Sequence, residues 1–470
     1  VEYALSLVSL AAVLAAAVAS VHLLLRYRAP SAAVAWLFAF WVLPVLGVLA
    51  YVMFALYDGP RSVRRRRRLS RSLRAAERRA PRRIGDRGDG LGSRLDSVAR
   101  RSGALPTTIG NAVHLHASGA AAAADVMDLV RGAKREIWLA TYIFERDAFT
   151  EPLVELLAER RAAGVDVRVL VDAIGSRRFL WRNLASLRRL GIPHARFLEP
   201  NPLKGRFQVN ARNHRKLLVV DSERAILGGR NFAAEYFDDG PDGYRDTSVR
   251  VEGPAVGALA GVFLEDWLVA TEGSPDELRS IESPPAVGHS DLRVVPHGCD
   301  EVRDVFLPLV SAAIRSARES ILVVTPYFVP EVTILHDLRL AALSGVRVRV
   351  LLPQRSPELW PDLGGRRSFE TLLRAGAEIW RVPAPFLHAK ALVFDGQRAF
   401  VGSANFDQRS FDLNYELSLE IQDPDVARAL EASFEPEFAR AERLDTETFL
   451  RRPWTARAVE NFVALFSPLL

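Results

Sequence analysis

Histidine, lysine and asparagine recur at one fixed spacing in two places along the 470-residue chain. His214-Arg-Lys216-Leu-Leu-Val-Val-Asp221 leads to Gly228-Gly229-Arg-Asn231, and His388-Ala-Lys390-Ala-Leu-Val-Phe-Asp395 leads to Gly402-Ser403-Ala-Asn405. Both read H-x-K-x4-D-x6-G-(G/S)-x-N without a slip. Neutral imidazole is a good nucleophile toward phosphorus, and imidazolium is a competent acid near neutrality because histidine titrates around ~6.5. With two histidines, His214 and His388, one can attack a phosphodiester while the other protonates the departing alkoxide. Lys216 and Lys390, with Asn231, Asn405, Gly229 and Ser403 as phosphate-binding positions, supply what the non-bridging oxygens of a phosphoryl transition state need. This chemistry requires no metal and no cofactor.

Each copy is bounded by elements that would gather these groups. An apolar, β-branched run, a polar turn and a second apolar run predict a β-hairpin. Residues two apart share a face of a strand, so each histidine points the same way as its lysine. Centring the turns between Ser222 and Glu223 and between Gly396 and Gln397 sets Lys216 opposite Gly229 and His214 opposite Asn231. It likewise sets Lys390 opposite Ser403 and His388 opposite Asn405. Each hairpin is thus half of an anion site. A carboxylate follows each hairpin, Asp246 in Tyr-Arg-Asp-Thr-Ser-Val and Glu416 in Asn-Tyr-Glu-Leu-Ser-Leu. These are the candidates for orienting the imidazoles through their other ring nitrogens. Asp221 and Asp395 complete the repeated motif and are kept in the catalytic set. Their position at the turns, remote from the strand ends, also suits them to capping the turn.

The repetition extends to the flanks. Ile137-Trp-Leu-Ala-Thr-Tyr-Ile-Phe144 matches Ile321-Leu-Val-Val-Thr-Pro-Tyr-Phe328, and Gly164-Val-Asp-Val-Arg-Val-Leu170 matches Gly345-Val-Arg-Val-Arg-Val-Leu351. Strand, helix, strand, helix and then hairpin is an α/β order with mixed strands. Two similar lobes are expected over 109–275 and 276–470, joined through the Pro- and Ser-rich stretch 274–290.

The N-terminal part differs in kind. Tyr3 to Leu25 and Ser31 to Tyr57 are apolar runs free of Asp, Glu, Lys and Arg up to their last residues, and each exceeds the ~20 residues that cross a bilayer as helix. They predict a two-helix transmembrane hairpin over 1–60, with Pro44 tolerated inside the second span. Arg61 to Arg83 carries twelve arginines and the single acid Glu77, so it contributes +11 where the whole chain is +6 and leaves the rest at −5. The segment 61–108 is therefore expected as a basic juxtamembrane stretch and linker that holds anionic lipid. The positive-inside bias predicts a multi-pass protein of the cell (inner) membrane with its lobes on the cytoplasmic side. A catalytic part with no net basic footprint speaks against nucleic acid as partner. The one cysteine, Cys299, excludes an intramolecular disulfide and fits a reducing compartment; with His297 it is read as structural.

The paired motifs resemble those of the phospholipase D superfamily. A narrower resemblance, to bacterial cardiolipin synthases, runs nearly end to end. It is carried by Ala35-Trp36, Pro44-Val-Leu-Gly47, Asn213-His-Arg-Lys216, Gly228-Gly-Arg-Asn231, Arg245-Asp-Thr247 and Glu252-Gly-Pro254. Thr325-Pro-Tyr-Phe-Val-Pro330, Gly402-Ser-Ala-Asn-Phe-Asp407, Arg409-Ser-Phe411 and Asn414-Tyr-Glu416 complete it. Leu139-Ala-Thr141, where the family often places an acid, departs from the pattern. The resemblance implies two phospholipase D-type lobes sharing one active site. It also implies condensation of two phosphatidylglycerols into cardiolipin and glycerol, with His214 as nucleophile and His388 as acid and base. Hydrolysis to phosphatidic acid by a membrane-bound phospholipase D is the alternative, and no oligomeric state is implied.

Overall fold

The computed structural model describes residues 2–25, 30–54, 92–116, 118–176, 184–199, 211–299 and 305–465. The arginine-rich segment 61–83 and the loop between the two apolar runs lie outside the described residues.

The described residues 2–25 and 30–54 fall within one compact unit. It holds α1 (Glu2–Leu24), α2 (Pro30–Val42) and α3 (Pro44–Phe54). The second apolar run, expected as one span, is two helices separated at Leu43. Pro44 has no N–H to give the carbonyl of Phe40, although Leu43 and Gly47 keep their bonds to Ala39 and Leu43. Small and aromatic residues, Ala16, Ala19, Leu23, Ala33, Phe40 and Tyr51, form the interior of this unit. Among the described residues no helix is long and apolar enough to cross a membrane.

The remaining described chain, apart from the 198–211 segment, is a second unit with a pseudo-repeated order. After α4 (Gly92–Ser102) come β1 (Thr108–His116), α5 (Gly119–Gly132), β2 (Glu136–Thr141), α6 (Thr150–Ala162), β3 (Asp166–Asp172), α7 (Leu184–Arg189) and β4 (His194–Phe197). The first hairpin, β5 (Leu217–Val220) and β6 (Arg224–Gly228), is followed by β7 (Ser248–Glu252) and α8 (Ala255–Thr271). The second lobe repeats this as β8 (Ser290–His297), α9 (Phe306–Ser316), β9 (Ser320–Val324), β10 (Phe328–Val329), α10 (Val332–Leu343), β11 (Arg347–Pro353), α11 (Leu359–Leu373) and β12 (Glu378–Val382). The second hairpin is β13 (Ala391–Phe394) and β14 (Arg398–Gly402). Then come β15 (Phe406–Asp407), α12 (Gln408–Asp412), β16 (Glu416–Gln422), α13 (Pro424–Ala432), α14 (Glu435–Arg440), β17 (Glu442–Arg443), α15 (Thr446–Leu450) and α16 (Trp454–Ala464).

Fifteen strands form one mixed sheet in the order β17-β12-β11-β9-β13-β14-β16-β8-β1-β7-β6-β5-β2-β3-β4. Read outward from the central β1–β8 pair, both halves give the same series of strands except for the additional edge strand β17 in the second lobe, so the lobes share one continuous sheet. The β-branched runs at β2, β3, β9 and β11 are buried on both faces, as parallel strands covered by helices must be. The inter-lobe α8 is buried along nearly its whole length, as a helix apolar on all sides requires. The stretch expected as linker contains α4, because Leu95 and Ala99, one turn apart, close the second lobe's core against Val305, Phe306 and Leu309.

The hairpin register differs by one residue from the sequence expectation. Leu217 pairs with Leu227 and Val220 with Arg224, while Ala391 pairs with Val401 and Phe394 with Arg398. Each turn therefore holds three residues, Asp221–Glu223 and Asp395–Gln397. Asp221 and Ser222, and Asp395 and Gly396, take positive φ there, a backbone that Asp and Gly accept most readily.

Candidate active site

The two histidines leave their hairpins at the junction of the lobes, and each is fixed by the opposite lobe. The N–H of His214 donates to the carbonyl of Tyr415 at 2.8 Å, and the N–H of His388 donates to the carbonyl of Arg245 at 2.7 Å. Tyr415 and Arg245 immediately precede the two candidate carboxylates, so the same crossing aligns the side chains. Nδ1 of His214 lies 3.0 Å from both oxygens of Glu416, and Nδ1 of His388 lies 2.6 Å from Oδ2 of Asp246. A carboxylate only accepts, so each Nδ1 carries the proton and each Nε2 keeps its lone pair.

The electrostatics support that state. Burial opposes ionisation of Glu416, but its attraction for a proton on the His214 ring, the hydrogen bond to that ring and the Lys216 ammonium hold it at about 2. Burial likewise opposes ionisation of Asp246, and Lys390 and His388 keep it below the ordinary range. Burial, then the Lys390 ammonium, pushes His388 down to about 3; burial also lowers His214, against the pull of Glu416. Both imidazoles are neutral at pH 7. Burial brings Lys390 to about 8 and lowers Lys216 well below the usual lysine value. Lys216 Nζ donates to the carbonyl of His214 at 2.8 Å and sits over the Tyr142 ring. Lys390 Nζ lies 2.7 and 3.0 Å from the ring nitrogens of His388.

The small residues of the motif serve the carboxylates. A Cβ on Gly229 would fall 2.2 Å from Oδ1 of Asp246, so only glycine lets that acid reach its place. At the matching position Ser403 donates its hydroxyl to Glu416 Oε2 at 2.5 Å, and Ser410 donates to Oε1 at 3.0 Å. Gly229 and Ser403 thus back the histidine-orienting acids, where the sequence placed them among the phosphate-binding residues. Asn231 is engaged, its Oδ1 accepting the N–H of Ile143 at 3.2 Å. Asn405 differs: its buried Oδ1, an acceptor, has no hydrogen-bond partner among the described residues. Asp221 and Asp395 are not brought to the histidines. Asp221 accepts backbone N–H bonds from Lys134, Arg135 and Glu136, and Asp395 accepts them from Arg318, Glu319 and Ser320. Both tie a hairpin turn to the start of the neighbouring strand, because their own turns lie at the far end of each hairpin.

Several site residues went unread in the sequence. Arg215 is fully buried, donates from Nε to the Glu416 carbonyl at 3.0 Å, and pairs through Nη1 with both oxygens of Asp266 at 2.9 Å. The Glu265-Asp266 pair in the largely apolar α8 was the available signal, since a buried carboxylate needs a partner. Tyr142 stands edge-on to His214, and Tyr236 to His388, with ring centroids 5.1 Å apart in each case. Thr141, in the Leu139-Ala-Thr141 stretch that departs from the expected pattern, donates to the Ile143 carbonyl at 2.8 Å, as Thr325 does to Tyr327. His297 stacks on Phe306, and Cys299 is near the Tyr415 hydroxyl, in keeping with a structural role. Among the described residues the one cluster with metal-ligand spacing is His289, Asp423 and Asp425. It lies at the other end of β16 from Glu416, and Asp423 there caps α13.

A family profile described as the phospholipase D-like domain of cardiolipin synthase matches residues 126–267 and 310–437, and one described as phospholipase D-nuclease N-terminal matches 14–55. The chain is similar to a cardiolipin synthase of Geobacillus thermodenitrificans, 33% identical over 95% of this chain and 90% of that one. It is similar to cardiolipin synthase A of Pseudomonas aeruginosa, 33% identical over 90% and 88%. In fold it is similar to phosphatidylserine synthase of Haemophilus influenzae, with TM-score 0.60 and 16% identity over 80% of this chain and all of that one. With the paired histidine motifs crossed at one site, the chain belongs to the cardiolipin synthase family of phospholipase D-like proteins.

Proposed function

We propose that the protein is a membrane-embedded phosphatidyltransferase that joins two phosphatidylglycerols into cardiolipin and glycerol. The observation that carries this reading is the crossed pairing of His214 with Glu416 and His388 with Asp246, which turns two neutral Nε2 atoms to one reaction. His388, neutral in the free site, takes up a proton from solvent at Nε2 as the anionic phosphodiester binds. His214 Nε2 then attacks the donor phosphorus, the bond to glycerol breaks, and His388 gives that proton to the leaving oxygen. The resulting phosphatidyl-histidine is cationic on the ring, and Glu416, ionised down to about pH 2, stabilises it. His388 then takes the proton of the acceptor's terminal hydroxyl, whose oxygen attacks phosphorus and releases His214. Lys390 beside His388 makes its imidazolium a strong acid for the first step, and the anionic phosphodiester offsets that repulsion when it arrives. Lys216, Lys390 and Asn405 hold the non-bridging oxygens. One phosphodiester replaces another, so no nucleotide is needed.

The two apolar runs serve as a bilayer hairpin bent at Pro44. Supporting this, Leu14, Val18, Val34, Phe38, Trp41 and Leu46 all face outward from the first unit, where water would be a poor neighbour and lipid a good one. The twelve arginines after Tyr57 support a cytoplasmic side for the lobes, by the positive-inside bias. Purified protein in detergent with labelled phosphatidylglycerol tests the reaction: labelled cardiolipin with free glycerol is expected. Phosphatidic acid as the main product would make the protein a hydrolase.

A further inference from the structure

One helix of the second lobe buries an acid together with Val463 and turns most of its large apolar residues outward. In α16, Glu460 is 2% exposed and pairs with Arg452 at 2.8 Å and with Arg366 of α11 at 3.8 Å. Trp454, Val459, Phe462 and the adjoining Leu465 are instead 78%, 52%, 58% and 71% exposed. Trp454, Phe462 and Leu465 follow helical spacing and form one outward stripe. A helix facing water does the reverse, hiding its apolar stripe and showing its charges.

The stripe leads toward the second histidine motif. Glu370 of α11 meets Arg452 at 3.3 Å and Arg457 at 3.7 Å, while Arg366, one turn nearer the start of α11, meets Glu460 further along α16. The two helices are therefore antiparallel, and the Phe462–Leu465 end approaches the first turn of α11. There Leu359 and Trp360 are 64% and 53% exposed. They open α11, whose Gly365 lies against the carbonyl of Phe328, and Phe328 pairs with Phe406, the residue after Asn405 of the second motif. The apolar patch thus opens the helix that packs beside the second histidine motif.

We propose that Leu359, Trp360 and the outward stripe of α16 are an interfacial docking surface that enters the headgroup layer of an anionic bilayer. The inference rests on the phosphatidyltransferase reading. A lipid phosphodiester lies within that layer, so the lobes must come down to it. Tryptophan and leucine beside arginine are the residues that settle there, and Arg355 and Arg457 are exposed next to the patch. A second copy of this chain would have no reason to bind beside a site that must admit two lipids.

The test uses the full chain reconstituted in vesicles of phosphatidylethanolamine and phosphatidylglycerol. Replacing Leu359→Ser, Trp360→Ser and Leu465→Ser together is expected to cut turnover of vesicle phosphatidylglycerol at least ~10-fold, by loss of apolar insertion. Turnover of short-chain phosphatidylglycerol supplied as monomers in detergent is expected to stay within ~2-fold, because the site itself is untouched. Brominated lipid is expected to quench fluorescence in the wild type that is absent from Trp360→Phe. Equal loss on both substrates, no loss on either, or no quenching at Trp360 overturns the proposal. Quenching does not depend on turnover, so a protein that quenches yet makes no cardiolipin keeps the docking surface and loses the functional reading.

Discussion

Glu416 of the second lobe holds His214 of the first, with both carboxylate oxygens 3.0 Å from Nδ1. Asp246 of the first lobe holds His388 of the second in the same way at 2.6 Å. Neither lobe contains a complete histidine–carboxylate pair, which makes the active site a property of their junction.

His214→Ala and His388→Ala are each expected to remove at least ~10²-fold of the activity, the scale of a missing nucleophile or acid–base group. Glu416→Gln and Asp246→Asn should lower kcat by ~10²–10⁴, since the tautomer of the partner histidine is no longer set. Steady-state assays in detergent check this. A single-lobe variant that kept half the wild-type rate would show two independent sites.

The covalent step has its own signature. In His388→Ala, label from phosphatidylglycerol is expected to accumulate slowly on His214, because departure of glycerol is slowed by loss of its acid while activation of the acceptor is slowed further. Excess glycerol should chase label back to phosphatidylglycerol in the wild type, and chelator should leave the rate unchanged. Peptide mapping of the labelled residue to His388 would reverse the two roles.

Gly229 and Ser403 distinguish steric from hydrogen-bonded support. Gly229→Ala puts a methyl group 2.2 Å from Asp246 Oδ1, so Asp246 must leave His388 and activity should fall by ~10²-fold or more. Ser403→Ala removes one donor from a carboxylate that keeps others, and a loss of about tenfold, ~1.4 kcal/mol, is expected. Equal losses in the two variants would contradict the distinction.

The pH profile follows from the buried cations. Lys390 is protonated below about 8 and loses its charge above it, so kcat/KM is expected to fall as pH rises through about 8. On the acid side, His214 is lowered from its ordinary value, so the nucleophile stays neutral and activity holds to below ~6.5 before falling. A profile still flat well above pH 9 would remove Lys390 from phosphate binding.

The orientation is checked by a reporter fused after Leu470, which should be active only as a cytoplasmic fusion. A periplasmic signal would overturn the assignment made from the twelve arginines.

The sequence by itself determined the chemistry, the duplication and the apolar N-terminal runs. These are written in residue type and spacing, which survive without coordinates: two H-x-K motifs, matched flanking strands, two uncharged stretches. The carboxylates Asp246 and Glu416 were legible for the same reason, as acids on strand-like runs at similar distances past each hairpin. Their crossing was not, because it depends on how β1 and β8 join the two lobes into one sheet. Local periodicity also carries no information about contacts 202 residues apart, such as that of His214 with Glu416. The hairpin register missed by one residue because three-residue turns with Asp at positive φ are a backbone choice, and the side-chain alternation does not count turn residues. Asp221 and Asp395 belong to the repeated motif, and their place at the turns already set them apart from the histidines; the fold adds that they hold the starts of the neighbouring strands. Arg215 looked like the variable residue between His214 and Lys216 until burial against Asp266 gave it a partner. Tertiary structure decided these points, because each is a matter of which buried polar group must be satisfied by which distant one.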